Sequence, residues 1–94
     1  MTDVTGKSLG PRQKRALFRA RHRGTSEMDL ILGGFAEARI AGFDAAMLDR
    51  FEALMDLPEP DLYAWITGQA KPPADADRAL IGAIAEYCET GARR

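Results

Sequence analysis

Apolar positions along this chain recur at three- and four-residue spacing and show no sustained two-residue alternation. That is the period of amphipathic helices, not of strands. The first helix is predicted from Arg12 to about His22, with Ala16, Leu17 and Ala20 apolar and Phe18 on another side. Alone it is marginal and needs an element to pack against. Pro11 suits a first helical position, where its missing N–H would be unpaired anyway, and Gly24 suits the left-handed turn that ends a helix. A second helix follows from Ser26 to Ala41, with Met28, Ile31, Leu32, Phe35 and Ala38 as its buried stripe. Thr25 or Ser26 is its expected cap, and Glu27 and Asp29 lie in the first turn, where negative charge is favoured. Gly33-Gly34 inside this helix costs roughly 1 kcal/mol per glycine relative to alanine, which implies close approach of another helix.

The third helix is expected over Ala45–Met55, capped by Asp44, with Met47, Leu48, Phe51, Leu54 and Met55 on one face. Pro58 stops it. Glu59-Pro60-Asp61 begins a short fourth helix with Leu62, Trp65 and Ile66 inward and Gly68 as its stop. Trp65 reads as core, while Tyr63 is one step off the stripe and can reach the surface. After Pro72-Pro73, Asp75 begins a fifth helix carrying Leu80, Ile81, Ile84 and Cys88 on one face. The fold class is therefore all-α, a compact bundle of five short helices with mostly antiparallel neighbours. Residues 12–90 form one domain, 1–11 a flexible lead and 91–94 a frayed end.

Composition changes this picture little, but charge distribution changes it more. The 94 residues are 46% hydrophobic and 29% charged, ordinary for one small domain with a modest stability margin. Net charge is −1, yet residues 1–23 hold seven Lys or Arg and one acid, net +6, leaving the remainder at −7. Such asymmetry describes either an electropositive docking face or two halves that satisfy each other. A single cysteine excludes an intrachain disulfide or a cysteine-based metal site. No apolar run approaches the ~20 residues of a membrane span, and the basic N-terminus lacks the apolar stretch of a secretory signal. The expected setting is cytoplasmic, without membrane insertion.

Catalytic chemistry finds little footing. His22 has no second histidine or cysteine for zinc and reads as a polar helix-end residue. Cys88, on an apolar face near Glu86 and Glu89, reads as a structural thiol. Gly33-Gly34 lacks the strand, lysine and further glycines of a phosphate loop. No catalytic, metal-binding or cofactor-binding residue is predicted. The basic stretch 12–23 leaves one rival function, a small nucleic-acid-binding regulator tracking phosphates, although the acidic body would repel a nucleic-acid backbone.

Three landmarks stand in order: Arg23-Gly24-Thr25-Ser26-Glu27-Met28-Asp29 at the second helix, Phe51-Glu-Ala-Leu-Met-Asp-Leu-Pro58 closing the third, and Asp61-Leu62-Tyr63-Ala64-Trp65-Ile66 followed by Gly68 and Pro72-Pro73. Their order and spacing resemble the succinate dehydrogenase assembly factor family, the SdhE or flavinator type, over about residues 12–88. The resemblance implies a chaperone or assembly factor, not an enzyme. It would bind the flavoprotein subunit of succinate dehydrogenase, sometimes of fumarate reductase, and promote covalent attachment of FAD to that subunit. FAD would be the partner's cofactor, with none held stably here; no nucleic acid would be bound, and the free chain would be a monomer. The Arg-Gly-x-x-Glu surface, here Arg23, Gly24 and Glu27, would contact the partner, joined by Asp29, His22 and Tyr63. Thr25 and Ser26 are polar where many relatives carry a larger apolar or a basic residue. Arg23 offers a planar fork of donors, Gly24 leaves the backbone bare, and Glu27 offers an acceptor whose alternative role is helix capping.

Overall fold

The computed structural model describes residues 9–24 and 26–90. Among them five α-helices follow one another: α1 (Pro11–Arg21), α2 (Ser26–Arg39), α3 (Ala45–Met55), α4 (Glu59–Ile66) and α5 (Arg78–Thr90), with a 3-10 turn, Ile40–Gly42, closing α2. No strand occurs among the described residues. Residues 1–8 of the flexible lead expected at 1–11, the frayed end expected at 91–94, Thr25 and the Ser26 side chain lie outside the described residues. The domain extends further towards the N-terminus than Arg12, because Leu9 is buried in the core.

Local chemistry sets the element boundaries. Pro11 opens α1, and the Gln13 side chain accepts the Gly10 N–H at 2.9 Å. The same amide donates to the carbonyls of Ile40 and Phe43, both at 3.0 Å. One side chain thus satisfies orphan groups at the start of α1 and the end of α2. Asp44 caps α3 by accepting the Met47 N–H at 2.9 Å. The cap of α5 is Asp77, which accepts the Leu80 N–H at 3.1 Å, so α5 begins at Arg78 and not at Asp75. One residue separates these acids, and only Asp77 has Arg50 to hold it, through bonds of 2.7 and 2.9 Å.

The core gathers Ala16, Leu17 and Ala20 of α1, Met28, Leu32, Phe35 and Ala36 of α2, and Leu48, Phe51, Leu54 and Met55 of α3. Leu62 and Ile66 of α4 and Leu80, Ile81 and Ile84 of α5 complete it. Full burial of one such Leu or Ile stabilises by ~1.5–3 kcal/mol. Phe35 sits at its centre, with ring centroids of Phe51, Tyr87 and Phe43 at 6.1, 6.0 and 6.3 Å. Three stripe assignments differ from expectation, and one of them is Ile31, which is half-buried. Ala38 is exposed and Ala36 is fully buried, because α1 lies along the Gly33–Ala36–Ile40 row. Trp65 is half-buried rather than core, since α4 spans two turns and its central row is Leu62 and Ile66.

The glycine pair serves helix packing on two sides. A Cβ at Gly33 would stand 3.1 Å from Arg21 Cγ and 3.3 Å from Arg21 Cα, so α1 crosses there. One at Gly34 would stand 3.3 Å from the Tyr87 hydroxyl of α5. The charge asymmetry is likewise resolved largely within the fold. Arg12 grips Glu52 with two bonds of 3.0 and 2.9 Å and also reaches Asp49. Arg19 pairs with Asp56, Arg21 with Glu37 and Arg23 with Glu59. Four arginines of the basic head are therefore paired with acids of the body.

Candidate partner-binding site

The turn between α1 and α2 carries His22, Arg23 and Gly24, and the first turn of α2 carries Glu27 and Asp29, five of the six predicted contact residues. His22 ends α1; its Nδ1 lies 2.8 Å from the Phe18 carbonyl. A carbonyl only accepts, so Nδ1 carries the proton in this bond. The imidazole stacks on the Phe18 ring at 4.0 Å. Gly24 follows at φ 109°, and among the described residues beyond its chain neighbours no atom lies within 4 Å of where a Cβ would stand. Its glycine identity is required by conformation, not by crowding, and the space beside its backbone is open. Asp29, one turn into α2, accepts the Arg23 backbone N–H. This fixes the turn from the α2 side.

Arg23 has a different place from the one its sequence suggests. Its side chain is 9% exposed. Nη1 donates to the Met55 carbonyl at 2.7 Å, and Nε donates to Glu59 Oε1 at 3.2 Å. The fork thus takes up an orphan carbonyl at the end of α3 and a carboxylate at the start of α4. It ties the α1–α2 turn to the α3–α4 turn. Glu27, by contrast, is exposed. It accepts a hydrogen bond from the Tyr63 hydroxyl, which holds the phenol above its ordinary pKa; the carboxylate's charge and partial burial of the ring push the same way. Glu27, Met28, Glu59, Pro60 and Tyr63 line an open hollow of about 380 Å³ between α2 and α4. Its lining is mostly apolar.

A family model described as the flavinator of succinate dehydrogenase matches residues 14–88. The chain belongs to the succinate dehydrogenase flavinator family. It is 34% identical over 83 residues to the FAD assembly factor SdhE of Acetobacter pasteurianus, covering 88% of this chain and 76% of that protein. It is 38% identical over 63 residues to the mitochondrial succinate dehydrogenase assembly factor 2 of Debaryomyces hansenii, covering 67% of this chain and 44% of that protein. With the corresponding Dictyostelium discoideum protein the figures are 29% over 77 residues, 82% and 55%. The chain thus spans about half the length of these mitochondrial relatives. No solved structure gives a significant match.

Within this flavinator-family domain, the fold joins Arg23, Asp29 and Glu59 in one polar cluster and Glu27 with Tyr63 in another, across one hollow. His22 is not part of that hollow; it faces Phe18 on α1. Glu59 and the Met55 carbonyl were not anticipated as partners of Arg23. The available signal was weak, an acid in the first turn of α4 just after a helix-ending proline. Cys88 is half-buried, and burial followed by the charge of Glu89 pushes its thiol up, the direction away from reactivity. Among the described residues no group of three or more His, Cys, Asp or Glu could hold a metal ion, and no helix is long and apolar enough to cross a membrane.

Proposed function

We propose that this chain binds the flavoprotein subunit of succinate dehydrogenase, and of fumarate reductase where present, and promotes covalent attachment of FAD to it. The observation that carries the proposal is the exposed Glu27 carboxylate, which shares one hollow with Tyr63 and lies next to the turn that holds Gly24. The names of the relatives supply the kind of partner.

In this reading the chain performs no chemistry. The partner's own groups and its FAD react. This chain lends binding energy to the conformation in which they are aligned, a positioning effect. Gly24 provides access, Glu27 and Tyr63 provide oriented polar contacts, and Asp29 with Arg23 keeps the turn in shape. His22 extends the contact surface along α1. FAD remains the partner's cofactor, the chain is not an enzyme, and the free chain is a cytoplasmic monomer.

The test uses Glu27→Ala and Tyr63→Phe in cells lacking the native chain, with in-gel fluorescence of covalent flavin on the subunit. Both variants should fold as the wild type does, because neither side chain belongs to the core. Glu27→Ala should lower covalent flavin strongly and Tyr63→Phe more mildly. Normal covalent flavin in a Glu27→Ala strain, with normal levels of the variant, sinks the proposal.

A further inference from the structure

We propose that the outer face of α1 is a second docking surface, which seats an acidic segment of the flavoprotein subunit bearing a protruding apolar side chain. This rests on the reading that the chain binds that subunit, but uses a different surface from the Glu27 hollow.

Two large apolar side chains are exposed among the described residues, Phe18 at 63% and Leu30 at 74%. Phe18 does not stand alone. Its ring lies against His22 at 4.0 Å and borders an open hollow of about 600 Å³ between α1 and α3, with Lys14, Arg15, Ala16, Arg19 and Glu52 around it. Glu52 is taken by Arg12 and Arg19 by Asp56. Lys14 and Arg15 are exposed and have no ion pair among the described residues. The face therefore presents two uncompensated cations beside an aromatic ring and an apolar recess. Its complement carries negative charge around an apolar side chain.

The same features disfavour the other polyanions. Two free cations would neutralise about two phosphates, a log–log salt slope of only about −2, too small for useful nucleic-acid affinity. The acidic body adds repulsion at longer range. A membrane surface would need an apolar helix face. Ala16, Leu17 and Ala20 of α1 are turned into the core at 1%, 8% and 0% exposure, which leaves Phe18 alone to insert. A folded acidic protein surface uses all of the face: charge steers the encounter and Phe18 anchors it.

The test is the affinity of the purified full chain for the purified flavoprotein subunit at low and high salt. It compares wild type, Phe18→Ser, Lys14→Gln/Arg15→Gln and Glu27→Ala. Phe18→Ser should weaken binding about tenfold, within the usual span for an exposed aromatic anchor. Lys14→Gln/Arg15→Gln should weaken it at low salt and flatten its salt dependence. Phe18→Leu should retain most of the affinity. All these side chains are exposed, so thermal midpoints should stay at the wild-type value. If Glu27→Ala weakens binding while Phe18→Ser and Lys14→Gln/Arg15→Gln bind as wild type, the second surface is refuted and the Glu27 reading survives. If the wild type does not bind the subunit, both fall. Retention on duplex DNA or phosphatidylglycerol vesicles that is lost in Lys14→Gln/Arg15→Gln would reassign the face to phosphates and overturn the proposal.

Discussion

Replacing Arg23 with alanine should unfold this domain well before it reveals anything about partner contact. The side chain is 9% exposed and makes two bonds to ionised or backbone acceptors, at 2.7 Å to Met55 and 3.2 Å to Glu59. Bonds involving a charged group contribute ~1.5–3 kcal/mol each. The 3.2 Å bond to a carboxylate that is 24% exposed belongs at or below the low end of that range. Taking the low end for both gives a loss of roughly 3 kcal/mol, which matches the lower bound for breaking a buried ion pair by removing one partner. For a chain of 94 residues, each kcal/mol moves the melting temperature by ~4–8 °C. Arg23→Ala should therefore lower Tm by about 12–24 °C in a circular-dichroism melt. Glu27→Ala touches an exposed side chain and should stay within ~1 kcal/mol of wild type. A double-mutant cycle of Arg23→Ala with Glu59→Gln isolates the pair, because two groups in contact are not additive. If Arg23→Ala melts within about 4 °C of wild type, the fork is not the cross-link described here. Loss of partner binding in such a variant would then be a direct contact effect.

Gly33→Ala should destabilise by ~1–2 kcal/mol, because the new Cβ meets the Arg21 backbone at 3.3 Å and overpacking outweighs the gain in helix propensity. Gly82→Ala, whose Cβ meets no neighbouring atom of the described residues within 4 Å, should stabilise α5 by up to ~1 kcal/mol; urea midpoints decide both. Spectrophotometric titration should place the Tyr63 phenol above its ordinary value, and Glu27→Gln should bring it back. Because the folded value is the raised one, the associated stability is complete below the unfolded pKa and is lost as pH climbs through the folded one. Glu52 shows the opposite sign: Arg12 holds its carboxylate below the usual range, so this stability is present above the unfolded pKa and fades as pH falls through the folded value. Acid unfolding of Glu52→Gln should accordingly depend less steeply on pH than that of wild type.

The elements were legible because their signals are local. Pro11, Asp44, Pro58 and the 3.6-residue stripes act within a turn or two of themselves, and the observed starts of α1, α3 and α4 fall within a residue of those signals. Gly33-Gly34 was legible one step further, since a costly glycine pair in a helix needs a neighbour to explain it, though which helix met which glycine was not. What stayed hidden depends on partners distant in sequence. Asp75 and Asp77 offer the same cap, and the choice falls to Asp77 because Arg50, 27 residues away, is there to hold it. The same holds at the candidate site. Spacing alone presents Arg23 and Glu27 as a matched pair of exposed charges on one turn. The fold separates them: Glu59, 36 residues downstream, draws Arg23 inward, while Glu27 stays exposed beside Tyr63. A motif of two charged residues can therefore be half buried scaffold and half exposed surface. Assigning the halves takes the burial of each side chain and the identity of its distant partner, and neither is encoded in the four-residue spacing.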